Sequence, residues 1–183
     1  MAVMREGLLS GYITLPKGCE AKGLEQRVTM ELLPEALQPA AKAFMKAQPP
    51  AFERAIPLLR RLGSLQEGRE DVEVFQLLGS ALNGTKDFQA GKEVFERTLR
   101  MPSFPSASPE QRALVLYNLG CAESALSVNE PGLAAQAVEH IRQSLSLKGT
   151  TIKKEDAAAD GDLAPLRSNP DFQKMLGLRK GPR

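Results

Sequence analysis

Residues 71–102, DVEVFQLLGSALNGTKDFQAGKEVFERTLRMP, limit what this chain can fold into more than any other stretch. Two runs with apolar residues at helical spacing flank the polar break Asn83-Gly84-Thr85. Phe75, Leu78 and Leu82 share one face of the first run, with Val74, Leu77 and Ala81 beside them. A stripe this wide predicts packing against two neighbours. Phe88, Gly91, Val94, Phe95, Thr98 and Leu99 form the inward face of the second run. Gly79 and Gly91 fall where two helices must cross closely. Asp71 is placed to cap the first helix, because its carboxylate can accept from the unpaired N–H groups of the first turn. Thr85 is expected to cap the second, with Asp87 in its first turn, where the helix dipole favours an acid.

The remainder reads as partial echoes of this unit and closures for its ends. Residues 1–23 hold glycines and a proline without helical period and are expected to form an irregular arm, with Tyr12, Ile13 and Leu15 as one short extended piece. Residues 24–70 are expected to be N-terminal helices. Leu24, Val28, Glu31 and Leu32 recur at three and four residues, and Pro34 and Pro39 predict a break between Leu33 and Pro39. Phe44 anchors a short helix over 40–47. Phe52, Ala55, Ile56, Leu59 and Leu62 make the next stripe, with Pro57 as a kink or start and Gly63 as its stop. Ser108-Pro109-Glu110-Gln111 is the sharpest helix start in the chain: Ser108 caps, Pro109 takes the first helical position and Gln111 completes a capping box. Residues 71–147 thus hold two helical hairpins. Residues 148–183 are a C-terminal cap and tail, with a short helix in 152–159 and a last one begun by Asn169-Pro170.

Composition agrees with helices. The chain has 183 residues, 42% hydrophobic, with Ala and Leu dominant and only 5% aromatic, enough apolar residues for one core and biased away from strand. A formal net charge of +2 argues against nucleic acid as a partner. Arg179, Lys180 and Arg183 read as a solvated tail. No run approaches the ~20 apolar residues of a membrane span, although association with a membrane complex is compatible with that. The first residues make a poor secretory signal and fit either an arm or the remains of a processed presequence. Cys19 and Cys121 lie far apart without metal-ligand spacing. This points to a reducing compartment such as the cytoplasm or an organelle interior, or to one indifferent to disulfides. The sequence leaves a bridge between the two open.

The unit at 71–102 resembles a tetratricopeptide repeat, whose signature is W-x₂-L-G-x₂-Y, then A-x₃-F, then P. Here it reads Phe75-x₂-Leu78-Gly79-x₂-Leu82, then Gly91-x₃-Phe95, then Pro102. A second unit reads Leu116-x₂-Leu119-Gly120-x₂-Glu123, then Ala137-x₃-Ile141, with extra residues between Gly120 and Ala137 assigned to a lengthened first helix and the 129–132 turn. Residues 162–176 look like the segment that closes such arrays. Residues 36–62 are a candidate degenerate unit without a legible signature. The resemblance implies an all-α fold: a short right-handed α-solenoid of helical hairpins, with the arm before it and a capping helix after it. A lone hairpin cannot bury both its faces, so neighbours must supply the missing core.

No reactive constellation is visible. His140 is the only histidine and is expected on a helix surface, so a zinc site or histidine acid–base pair is not expected. No nucleophile has an identifiable base, and no glycine pattern cradles phosphate. The chain is therefore read as non-catalytic, with no cofactor and no metal; an enzyme is the lesser alternative and would need a ligand-dependent activity that groove substitutions abolish. The resemblance implies an adaptor or assembly factor that binds a protein or peptide partner in a groove lined by the first helices. That groove would present Glu73, Gln76, Leu77, Ser80 and Asn83 from one unit, and Leu114, Tyr117, Asn118, Cys121 and Ser124 from the other. Asn118 matches an asparagine common in the family, which either bonds an extended peptide backbone or has only a local role. Gln76 and Ser80 stand where chaperone-binding members carry Lys and Asn, which argues against recognition of a chaperone tail and for a neutral or amphipathic ligand. The competing reading is a constitutive accessory subunit of a large complex, organellar or of a photosynthetic membrane, held by the arm and loops.

Overall fold

The computed structural model describes residues 34–65 and 71–178, together with 3–5, 8–10 and 29–31. The fold is helical. Its helices are α1 (Pro34–Met45), α2 (Phe52–Leu65), α3 (Val72–Gly84), α4 (Phe88–Leu99), α5 (Pro109–Leu126), α6 (Leu133–Ser146), α7 (Lys154–Ala159) and α8 (Pro170–Leu176). Single 3₁₀ turns sit at Phe104–Ser106 and Ala164–Leu166. Before the helices, β1 (Val3–Arg5), β2 (Leu8–Ser10) and β3 (Thr29–Glu31) form an antiparallel sheet in that order. Its register pairs Met4 with Leu9 and Leu9 with Met30.

These strands correct two expectations. The arm is ordered at β1 and β2, and the helical spacing begun at Leu24 carries strand at β3, because strand pairing across the chain overrides a short local period. Tyr12, Ile13, Leu15, Cys19 and the basic residues from Arg179 onward lie outside the described residues. Pro34 opens α1 instead of breaking it, since the first helical position has no N–H to lose. Pro39 and Pro57 both sit in the second turn of a helix on exposed positions, where water can take the carbonyl each leaves free. Gly63 is not a stop, and α2 runs on to Leu65.

The capping reading holds at most starts. Asp71 accepts from Glu73 N. Ser108 and Gln111 make the reciprocal capping box of α5, with Pro109 first in the helix. Asn169 accepts from Asp171 N and Phe172 N. Thr85 differs from expectation: it closes α3 by donating its hydroxyl to Leu82 O, and Asp87 caps α4. Lys86 between them takes φ 65°, the left-handed turn needed to reverse the chain in so few residues.

Successive helices pack on each other from α1 to α6, and α3 also touches α1 on one side and α5 on the other. Gly79 faces Phe95 across α3 and α4, and Gly120 faces Ile141 across α5 and α6, as the spacing predicts. A Cβ on Gly79 would stand 2.5 Å from the Phe95 ring, and one on Gly120 would stand 2.7 Å from Ile141. The core divides into three clusters that cross hairpin boundaries. Leu37, Ala41, Ala55, Leu58 and Leu59 join Val74, Leu78 and Leu82. Phe75 and Phe95 join Val115 and Leu119. Cys121, Ala137 and Ile141 join Ala157, Leu163, Leu166 and Phe172 of the C-terminal segment. No hairpin owns its core, so burial of apolar surface holds the units to one another.

Residues 36–62 form such a hairpin. Ala41, Ala55 and Leu59 are fully buried at its helix contacts.

Candidate functional site: a polar seam across the first helices

The residues expected to line a groove come together, but chiefly by bonding one another. From α1, Lys42 Nζ pairs with Glu73 Oε1 of α3 at 2.5 Å. That bond, with help from Gln38, holds the Glu73 carboxyl below its ordinary range against the opposing effect of its burial. Further along α3, Gln76 Nε2 donates to Ser80 Oγ at 3.1 Å. Asn118 of α5 also donates to Ser80 Oγ, through Nδ2 at 3.2 Å. Asn83 Nδ2 returns the link by donating to Asn118 O at 2.8 Å. α3 and α5 are therefore stapled twice by side-chain amides. Leu77 packs at the margin of the first apolar cluster, and Leu114 is half-buried on α5.

The α5 end of the seam is covered by the chain itself. Tyr117 Oη donates to Asp160 Oδ2 at 2.9 Å, and the Cys121 thiol lies 3.7 Å from the same oxygen. Asp160 Oδ1 accepts from Asp162 N, and Asp162 pairs with Lys86 at 2.7 Å. Burial, reinforced by the nearby carboxylates, pushes the Tyr117 phenol and the Cys121 thiol well up. Both stay protonated donors at neutral pH. Cys121 is a free, buried thiol, and a thiol of this kind is an inert packing group. Ser124 is fully buried with its Oγ unpartnered, so it faces no groove.

One polar group was missed from the sequence. Glu123 is 1% exposed, and its Oε2 meets His140 Nδ1 at 2.7 Å. His140 is thus no free surface residue; its ring covers a buried carboxylate. Lys92 of α4, held up by its bond to Glu96, also feels Glu123 and Glu130. The signal lay in the spacing: Glu123 follows Gly120 by the same three residues that separate Leu82 from Gly79. A carboxylate at an apolar position demands a partner, and the only histidine stands on the helix that packs against it.

Among the described residues no cluster of His, Cys, Asp and Glu could hold a metal ion. No helix among them is long and apolar enough to cross a membrane. The seam can donate and accept hydrogen bonds. The Asn118 amide oxygen makes no bond among the described residues. Comparison with protein-family models, with curated proteins and with solved structures gave no match for this chain.

Proposed function

We propose that the chain is a non-catalytic protein-interaction module of tetratricopeptide-repeat type. It acts as an adaptor or assembly factor that holds a partner protein or peptide along the face made by α1, α3 and α5. The observation that carries this reading is the adjacency of these three helices, with Lys42 of α1 bonded to Glu73 of α3 and, further along α3, Ser80 and Asn83 bonded to Asn118 of α5. A face whose side chains hold each other in place offers fixed donors and acceptors, so little side-chain entropy is lost when a partner docks. Its charges are neutralised in pairs, Lys42 with Glu73 and Lys86 with Asp162. This favours a neutral or amphipathic segment over a strongly acidic one.

The test compares two charge-introducing variants in affinity capture of partners from the native source. Leu114→Lys lies on the proposed face. Glu139→Lys lies exposed on α6, a second helix. Circular dichroism verifies that both are folded. Proteins captured by the parent and by Glu139→Lys but lost from Leu114→Lys support the reading. Equal capture by both variants refutes the placement of the site.

A further inference from the structure

We infer that Asn83-Gly84 is a deamidation site held closed by the fold, whose reaction records the parting of α3 from α5. The inference is independent of what the chain binds. It starts from two separate packing demands on neighbouring residues. Asn83 is required by α5, because its Nδ2 supplies the donor to Asn118 O. Gly84 is required by α2, because a Cβ there would stand 2.5 Å from the Phe52 ring. Together they place side by side the dipeptide in which an asparagine amide is most open to attack by the next backbone nitrogen, since glycine adds no side chain to obstruct it.

The chemistry is self-contained apart from water. The Gly84 backbone nitrogen attacks Asn83 Cγ and gives up its proton. The Cγ–Nδ2 bond breaks, ammonia leaves, and a five-membered cyclic imide closes. Water then opens the imide at one carbonyl or the other, leaving aspartate or isoaspartate at position 83. The net change is amide plus water to carboxylate plus ammonium, with no oxidant or reductant.

In the folded chain the reaction is blocked three ways. α3 runs through Gly84, so helical torsions hold the attacking nitrogen away from Cγ. Asn83 is 5% exposed, which limits access of the water that must open the imide. Its amide cannot swing. Nδ2 is bonded to Asn118, and Oδ1, which has no hydrogen-bond partner, lies against Gly91 so closely that a Cβ there would collide with it. Reaction therefore requires the last turn of α3 to unwind and the staple to α5 to release. The product cannot restore the staple. An aspartate would set a carboxylate oxygen against Asn118 O, two acceptors in a buried place, and isoaspartate would add a main-chain atom to the helix end.

The experiment follows conversion at residue 83 in the full chain. Peptide mapping by mass spectrometry reads the amide-to-acid mass gain, and isoaspartyl methyltransferase labelling reads the isomer. Native protein and protein in denaturant are incubated side by side in mildly alkaline buffer. Conversion at Asn83 should be at least about tenfold slower in the native chain, as expected of a site that reacts only through local opening. Asn118→Ala, which removes the bond to Ser80 but leaves the backbone oxygen at 118 to accept from Asn83, weakens the α3–α5 contact and should raise the native rate. Asn83→Asp should lower the melting temperature. Equal native and denatured rates would overturn the inference, as would a denatured chain that does not convert or an Asn83→Asp protein that melts like the parent.

Discussion

Gly79 and Gly120 show how single residues set the helix spacing. Neither is needed for an unusual torsion; both are needed because a neighbour's side chain occupies the space of a Cβ. At Gly79 that neighbour is Phe95, which is fully buried. Gly79→Ala forces the ring off its site and should destabilise the fold by about 1–3 kcal/mol through overpacking. Gly132 meets nothing within 4 Å, so Gly132→Ala should leave the midpoint of urea unfolding nearly unchanged. If the two variants unfold at the same urea concentration, the close crossing of α3 and α4 is misassigned. Both glycines were legible beforehand because small-against-large spacing is written locally. The burial of Glu123 was not anticipated, because its partner His140 arrives from α6.

Among elements, the helix starts were the most legible part of the chain. Ser108, Pro109 and Gln111 act within one turn, and so do Asp71 and Asn169, so their partners are fixed by spacing alone. Thr85 went wrong where two short polar residues competed for one cap. The turn through Lys86 left Thr85 closing α3 and Asp87 opening α4. The link between α3 and α5 belongs to the elements together. Ser80 Oγ accepts from both Gln76 and Asn118. In a double-mutant cycle with Ser80→Ala and Asn118→Ala, the coupling should be on the order of 1 kcal/mol, measured from urea midpoints. Strict additivity would mean that the Ser80–Asn118 bond contributes nothing to holding the hairpins together.

At the scale of the whole molecule, the cap over α5 makes stability depend on pH. Burial raises the folded pKa of Cys121 above its ordinary value near 9.0, and Tyr117 is raised with it. A group raised on folding contributes stability that is fully present below its unfolded pKa and lost as pH climbs toward the folded one. The melting temperature should therefore fall as pH rises past about 9.0, and Cys121→Ala should flatten that fall. An unchanged alkaline slope in the variant would remove Cys121 from the explanation. On the acid side, Glu73 and Glu110 are depressed, chiefly by bonds from Lys42 and Thr151. Their contributions have the opposite sign and fade as pH drops below the ordinary range, and they are small because both groups lie near solvent.

What the amino-acid order alone determined is what acts over one or two turns. It specified helices, their caps, and the small and large residues that make one hairpin resemble the next. The identity of each polar partner was decided only by the tertiary structure. Lys42 reaches Glu73, Asn118 reaches Ser80 and Lys86 reaches Asp162 across 31, 38 and 76 residues, and local spacing carries no information at that range. Of the residues expected to line a groove, several are bonded within the fold: Gln76 bonds Ser80, Asn83 and Asn118 join α3 to α5 through Asn118 O and Ser80, and Ser124 is buried. Asn118 and Ser80 bond each other across α5 and α3, and Tyr117 and Cys121 turn to Asp160, because a polar atom drawn from water by helix stacking must find a partner inside the fold.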